Sequence, residues 1–175
     1  MKEKKTNFRK FDVSGVKAYA IYDYDDYIQT NIFALKGLGD YELHKLFLHP
    51  FEKEISLFFK GYVMVPIPSY KEDDIKRGFN HVVAIFSRLN LKMLDILEKT
   101  SDIKQVNVSA DKRLEIIKHL KVNNLEQIFN KKILLVDDIL TTGSSMMAAI
   151  NLIKEGKPKS IKILVIAKTN NIKQN

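Results

Sequence analysis

The stretch 131–147, KKILLVDDILTTGSSMM, constrains what this chain can fold into more than any other part of it. Ile133, Leu134, Leu135 and Val136 form an uninterrupted aliphatic run, which suits a strand buried on both faces of a parallel sheet. Two acids, Asp137 and Asp138, are expected where that strand leaves the sheet. Ile139, Leu140, Thr141, Thr142, Gly143, Ser144 and Ser145 then form a loop ahead of a helical pattern. In open α/β sheets ligands bind outside the carboxyl ends of the strands, and the N-terminus of a helix offers unpaired N–H groups to a phosphate. Paired carboxylates on a rigid element hold Mg²⁺ or the vicinal hydroxyls of a ribose. Hydroxyl side chains, a glycine and a helix start provide phosphate donors beside them. A phosphorylated sugar satisfies both halves.

Length and composition place this motif in a single domain. The chain has 175 residues, 45% of them hydrophobic and 29% charged, the balance of an ordinary globular protein. Residues 1–15 are expected to be a basic, flexible lead-in, and residues 16–175 the domain. No apolar stretch has the length of a membrane span and the N-terminus lacks a secretory apolar core, so no membrane insertion and a cytoplasmic location are expected. The absence of cysteine excludes disulfides and thiolate metal sites. The formal charge is +8 with 29 basic residues, of which only Arg9, Arg77, Arg88 and Arg113 are arginines. Lysine is a point charge that needs no fixed partner, so most of this excess reads as solvated surface. Each arginine fork, suited to phosphate or carboxylate, is the more informative.

Taken in order, residues 16–24 alternate as a strand, and residues 27–35 are a helix closed by Gly37 and Gly39. Asp40 is positioned to cap a second helix with Leu43, Phe47, Phe51, Ile55 and Phe58 as its core stripe, broken near Pro50. Residues 62–68 are the next strand and 69–77 a polar loop. A helix follows from residues 78–80 with Val82, Val83, Ile85, Phe86 and Leu89 facing the core. Residues 93–97 read as a short strand, 100–124 as a long polar stretch and 125–129 as another short strand. The helix 144–155 ends at Gly156, and residues 161–167 form the last strand. The fold class is α/β, with a mainly parallel central sheet flanked by helices.

Residues 133–145, four aliphatics, two acids, two aliphatics and Thr-Thr-Gly-Ser-Ser, resemble the phosphoribosyl-pyrophosphate (PRPP) binding motif of type I phosphoribosyltransferases at every position. The rest resembles the ComF branch of that superfamily, proteins of bacterial competence for DNA uptake. Val65-Pro66-Ile67-Pro68 and Arg77-Gly78-Phe79-Asn80 are similar to its Val-Pro-x-Pro and Arg-Gly-Phe-Asn-Gln elements, with His81 where glutamine is usual. Lys36-Gly37-Leu38-Gly39-Asp40 resembles its Lys-x-Gly-Asp segment with an extra glycine. Gln105, Val108-Ser109 and Arg113 fit its Gln-x-x-Leu-Ser and Arg stretch. Many members carry a four-cysteine zinc ribbon at the front; this chain has no cysteine, so the ribbon is expected to be missing.

The resemblance implies a type I phosphoribosyltransferase fold and roles for individual residues. Thr141, Thr142, Gly143, Ser144 and Ser145 would hold the 5′-phosphate of PRPP. Asp137 and Asp138 would hold the ribose hydroxyls and stabilise developing positive charge, with Mg²⁺ as the cofactor in indirect or weak contact. Arg77 would bind pyrophosphate and Arg113 would close over the site, making Asp137, Asp138, Arg77 and Arg113 the implied catalytic set. Lys36 reads as solvated. His44, His49 and His119 read as helix-surface residues, and His81 as at most a site-edge residue. The implied activity is phosphoribosyl transfer to an unidentified acceptor, with a role in DNA uptake during natural transformation. The alternative is an inactive PRPP-sensing or single-stranded-DNA-handling protein acting beside a competence helicase.

Overall fold

The structure is a computed structural model and describes residues 8–99 and 120–169. In chain order the strands are β1 (Arg9–Val13), β2 (Val16–Asp23), β3 (Tyr62–Pro66), β4 (Leu97–Lys99), β5 (Leu120–Val122), β6 (Lys132–Leu140) and β7 (Ser160–Lys168). The helices are α1 (Asp26–Gly37), α2 (His44–Leu48), α3 (Glu52–Phe58), α4 (Lys71–Arg77), α5 (His81–Phe86) and α6 (Ser144–Glu155). The main sheet has the order β1-β2-β7-β6-β3, with β1 antiparallel to β2 and the other neighbours parallel; β4 and β5 form a separate antiparallel pair.

β6 is covered on both faces, as its aliphatic run requires. Ile133 and Leu135 join a core with Ala149, Ile150 and Ile153 of α6. Leu134 and Val136 point the other way, into a core with Ile32 and Leu35 of α1 and Val82 and Ile85 of α5, as the two-residue side-chain period dictates. The pairing with β3 ends at Val136 opposite Pro66, whereas pairing with β7 continues to Leu140 opposite Lys168. Asp137 and Asp138 therefore lie inside the strand rather than beyond its end. They sit where one flank loses its partner, and that opens a crevice at the carboxyl edge of the sheet.

Several expectations are corrected. Part of the expected lead-in is ordered, because Arg9–Val13 pair with β2 through a tight turn in which Ser14 and Gly15 have φ of 52° and 78°. Both left-handed turn positions match the twist of a two-residue hairpin. Asp40 makes no side-chain cap. The stripe ends on Phe59, fully buried, while Phe58 is 46% exposed; the break at Pro50 divides α2 from α3 and resets the helical phase. The expected loop 69–77 contains α4, and Gly78, at φ 85°, terminates it in the left-handed conformation that favours glycine. Of the expected strand 93–97, Met93 makes only an isolated bridge to Met64 and the ladder begins at Leu97. Residues 125–128 are a 3-10 turn, not a strand.

Candidate functional site

The site begins with the local structure of 66–81. After β3 the chain turns into α4, and Asp74 at the middle of that helix ties the segment together. Its carboxylate accepts from Ser69 Oγ at 2.6 Å, from Asn80 Nδ2 at 2.8 Å and from Arg77 Nη1 at 3.0 Å. Asn80 also caps α5, its Oδ1 accepting from Val83 N at 2.9 Å. The Arg-Gly-Phe-Asn element is thus a corner piece that fixes where α5 starts, and with it His81.

His81 is 3% exposed. Its Nδ1 lies 3.2 Å from Arg77 Nη1, and its Nε2 lies 3.1 Å from Asp138 Oδ2. Arginine can only donate, so Nδ1 accepts and the ring is the neutral tautomer with its proton on Nε2, directed to the acid. Lys36, in the last turn of α1, places Nζ 2.9 Å from the same Oδ2, and its carbonyl accepts from Arg77 Nε at 2.8 Å. Asp138, Lys36, Arg77 and His81 therefore close a ring joining β6, α1, α4 and α5.

The two acids differ in charge. Burial opposes ionisation of Asp138, yet the His81 and Lys36 contacts outweigh it and hold the carboxyl well below the usual carboxylate range. Burial and the adjacent Asp138 charge push Asp137 well above that range. Asp137 Oδ1 accepts from Asp138 N at 2.9 Å and Asp138 Oδ1 from Ile139 N at 2.7 Å, so both side chains fold back along the strand, and both residues line the crevice beside it.

That crevice is a cavity of about 460 Å³ whose lining includes Asp137, Asp138, Thr141, Ser145, Arg77 and Tyr70. Among the described residues, two buried side-chain oxygens have no hydrogen-bond partner, Tyr70 Oη and Asp138 Oδ2. The Lys36 ammonium and His81 Nε2 are within ion-pair distance of Oδ2 but not aligned on it as hydrogen-bond donors. Both orphaned atoms belong to residues lining this cavity, and buried polar atoms left so are costly unless a ligand or water completes them. At the loop, Gly143 precedes α6 with φ 75°, and Thr142 Oγ1 lies 3.1 Å from Ser144 Oγ.

The structure thus brings Asp137, Asp138, Thr141, Ser145 and Arg77 to one cavity, with Thr142, Gly143 and Ser144 in the loop at its mouth. Arg77 has a 9% exposed side chain and commits Nε and Nη1 to internal contacts. Arg113, Gln105, Val108, Ser109 and His119 lie outside the described residues. Sequence reasoning missed Lys36 and gave His81 too small a part; the signal for His81 was its position directly after the Asn80 cap, four residues from Arg77. His44 is also buried, its Nδ1 2.5 Å from Tyr41 O, whereas His49 is exposed. Among the described residues no group of three or more His, Cys, Asp or Glu side chains could hold a metal ion. The acid pair fits Mg²⁺ only as a ligand shared with phosphate oxygens, the manner in which that ion is commonly held. A wider cleft of about 910 Å³ adjoins the cavity across Lys36, Asp73, Arg77 and Ile139 and is edged by Tyr24 and Phe33. No helix among the described residues is long and apolar enough to cross a membrane.

A parallel sheet with an acidic pair late in one strand and a hydroxyl-bearing loop running into the next helix defines the class of type I phosphoribosyltransferases. The family described as "Phosphoribosyl transferase domain" matches residues 76–174, and the chain belongs to it. The chain is 30% identical over 148 residues to competence protein ComFC of Streptococcus pneumoniae. The match takes in 85% of this chain and 66% of that relative's length. Among solved structures, a hypoxanthine-guanine phosphoribosyltransferase of Bacillus anthracis matches with a TM-score of 0.50 and 15% identity, over 78% of this chain and 75% of that one; at that identity the likeness concerns the fold.

Proposed function

We propose that this protein binds PRPP together with Mg²⁺ in the 460 Å³ cavity and transfers its phosphoribosyl group to an acceptor entering from the adjoining cleft. The observation that carries the reading is the pairing of Asp138, kept ionised and with Oδ2 unsatisfied, with Tyr70 Oη, also unsatisfied, in one cavity beside the Thr141–Ser145 loop. Asp138 accepts a ribose hydroxyl, and Asp137, biased toward its neutral form, exchanges hydrogen bonds with the neighbouring hydroxyl. The loop and the first turn of α6 hold the 5′-phosphate. Arg77 Nη2 and Tyr70 Oη face the pyrophosphate, and bound Mg²⁺ would supply charge neutralisation on it. In the transfer the bond from the anomeric carbon to pyrophosphate breaks and one from the acceptor's nucleophilic atom to that carbon forms. The carbon gains positive character between the two, and the fixed negative charge of Asp138 stabilises it. Incubation with PRPP and Mg²⁺ and a panel of bases and amines tests this: pyrophosphate release that Asp138→Asn abolishes supports it. Absence of PRPP binding by calorimetry rejects it.

A second reading, a protein that handles single-stranded DNA during uptake, is favoured by the opposite edge of the sheet. Lys60, Lys131, Lys132, Lys157, Lys159 and Lys162 gather where β3, β6 and β7 begin, and none is ion-paired among the described residues. Lys132 and Lys162 lie over the Tyr62 ring at 5.8 and 5.0 Å. Lysines interleaved with aromatic faces suit a phosphate backbone with unstacked bases. A role in DNA uptake follows on this reading from the likeness to a competence protein.

A further inference from the structure

We infer that Lys36 is an internal stand-in for the ligand: it neutralises Asp138 in the free protein and is traded to the ligand's diphosphate on binding, so it selects ligands that carry both a vicinal diol and a diphosphate. The inference rests on the proposed PRPP reading of the cavity and adds a selectivity to it.

The ring around Asp138 has a fixed half and a movable half. The fixed half is His81, 4% exposed in its side chain, with Arg77, 9% exposed, behind it. Arg77 Nε also grips the carbonyl of Lys36 at 2.8 Å, pinning the backbone at the end of α1. The movable half is the Lys36 side chain, 40% exposed, against 6% for Asp138. Lys36 lines both the cavity and the cleft. A flexible stem on a pinned backbone can sweep between a carboxylate and a nearby anion without disturbing the helix.

A hydroxyl donating to Asp138 Oδ2 must take the place that Lys36 Nζ faces at 2.9 Å. A sugar phosphate without a diphosphate evicts the ammonium and offers it nothing in that direction, so part of its binding free energy is spent on breaking the pair. A ligand with a diphosphate gives the ammonium a new anion, and the exchange is nearly balanced. His81 stays on Asp138 throughout, which keeps the acid charged and in place while its other partner changes. A ligand shifts such an equilibrium only by the difference of its contacts with the two arrangements. The diphosphate supplies that difference.

The test compares PRPP with ribose 5-phosphate, which shares its 5′-phosphate and diol, on the full chain with Mg²⁺ by calorimetry. In Lys36→Met the stem is kept and the charge removed. PRPP should bind about tenfold more weakly and ribose 5-phosphate as well as or better than to wild type, so the preference between them collapses by about tenfold or more. A merely structural lysine would weaken both ligands equally, and that result, or an unchanged preference, overturns the inference while leaving PRPP binding intact. If wild type binds neither ligand, the reading of the cavity falls and the inference falls with it. His81→Leu, which removes the fixed partner of Asp138 and touches no diphosphate, is a second variant; it should reduce affinity for both ligands without changing their ratio. A change in the ratio by His81→Leu comparable to that by Lys36→Met contradicts the division into fixed and movable halves.

Discussion

At the residue scale His81 performs a job that needs one donor and one acceptor a fixed distance apart. Its Nε2 faces Asp138 Oδ2 at 3.1 Å and its Nδ1 accepts from Arg77, and a carboxamide presents the same pair on a side chain of similar reach. Glutamine, usual at this place in the ComF pattern, therefore substitutes by role rather than by likeness to histidine. His81→Gln should keep PRPP affinity within about threefold, whereas His81→Leu, which leaves a buried acid without its polar neighbour, should cost about 1–3 kcal/mol of stability. Urea titration of both variants beside wild type checks it, and equal losses would refute it. The two acids have opposite linkage. The folded-state pKa of Asp138 is depressed from 3.8, so its stabilising contribution is complete above that value and is lost as pH falls below it. That of Asp137 is raised from 3.8, so its contribution is complete below that value and is lost as pH rises through the folded pKa. Asp138→Asn should then destabilise at neutral pH with a deficit that shrinks in acid. Asp137→Asn should stabilise at neutral pH, with a gain that vanishes toward pH 3.8. Denaturation curves taken across that range distinguish the two; parallel profiles would mean the acids do not differ.

At the element scale the β6–α6 connection was legible because its signals are local. An unbroken aliphatic run, two acids and a glycine between hydroxyl residues require no knowledge of the rest of the chain. Gly143 sits at φ 75°, and a Cβ there would meet nothing closer than Leu140 Cδ1 at 4.0 Å. Gly143→Ala should therefore cost only the left-handed backbone penalty, about 1–2 kcal/mol, while the tilt of the first α6 N–H groups reduces PRPP affinity by a larger factor. Paired thermal melts and calorimetry measure both, and an affinity loss no greater than the stability loss would place the phosphate elsewhere. β1 was misread because an edge strand with exposed Arg9 and Lys10 looks like a charged tail; the Ser-Gly turn was the available sign. α4 was misread because it buries no residue, so apolar periodicity is silent. Its signature is electrostatic, with Glu72, Asp73 and Asp74 in the first turn and Lys76 and Arg77 in the last. The contact of Lys36 with Asp138 had no local sign at all, since it depends on how α1 packs over β6.

At the scale of the whole molecule the two edges of the parallel sheet carry different chemistry. The carboxyl edge holds the acid pair and the cavity; the amino edge holds aromatic faces and lysines that have no ion pair among the described residues. Lys162 lies within 5.0–5.9 Å of the rings of Tyr19, Phe58, Phe59 and Tyr62, so part of this charge is fixed by cation–π contact. The remainder, on exposed stems such as Lys60, Lys157 and Lys159, is free to meet phosphates. With a formal charge of +8, attraction to a polyanion is governed by counterion release, and affinity falls steeply as salt rises. A single-stranded oligonucleotide should bind at low ionic strength and lose affinity by about 10-fold or more between 50 and 200 mM salt. Because the lysine edge and the cavity are at opposite ends of the strands, saturating PRPP should leave this binding unchanged, and Lys132→Glu with Lys159→Glu should abolish it while PRPP still binds. Anisotropy titrations with and without PRPP test the separation. Competition by PRPP would put the oligonucleotide in the cavity, and binding insensitive to salt or to the double substitution would remove the lysine edge from any part in it.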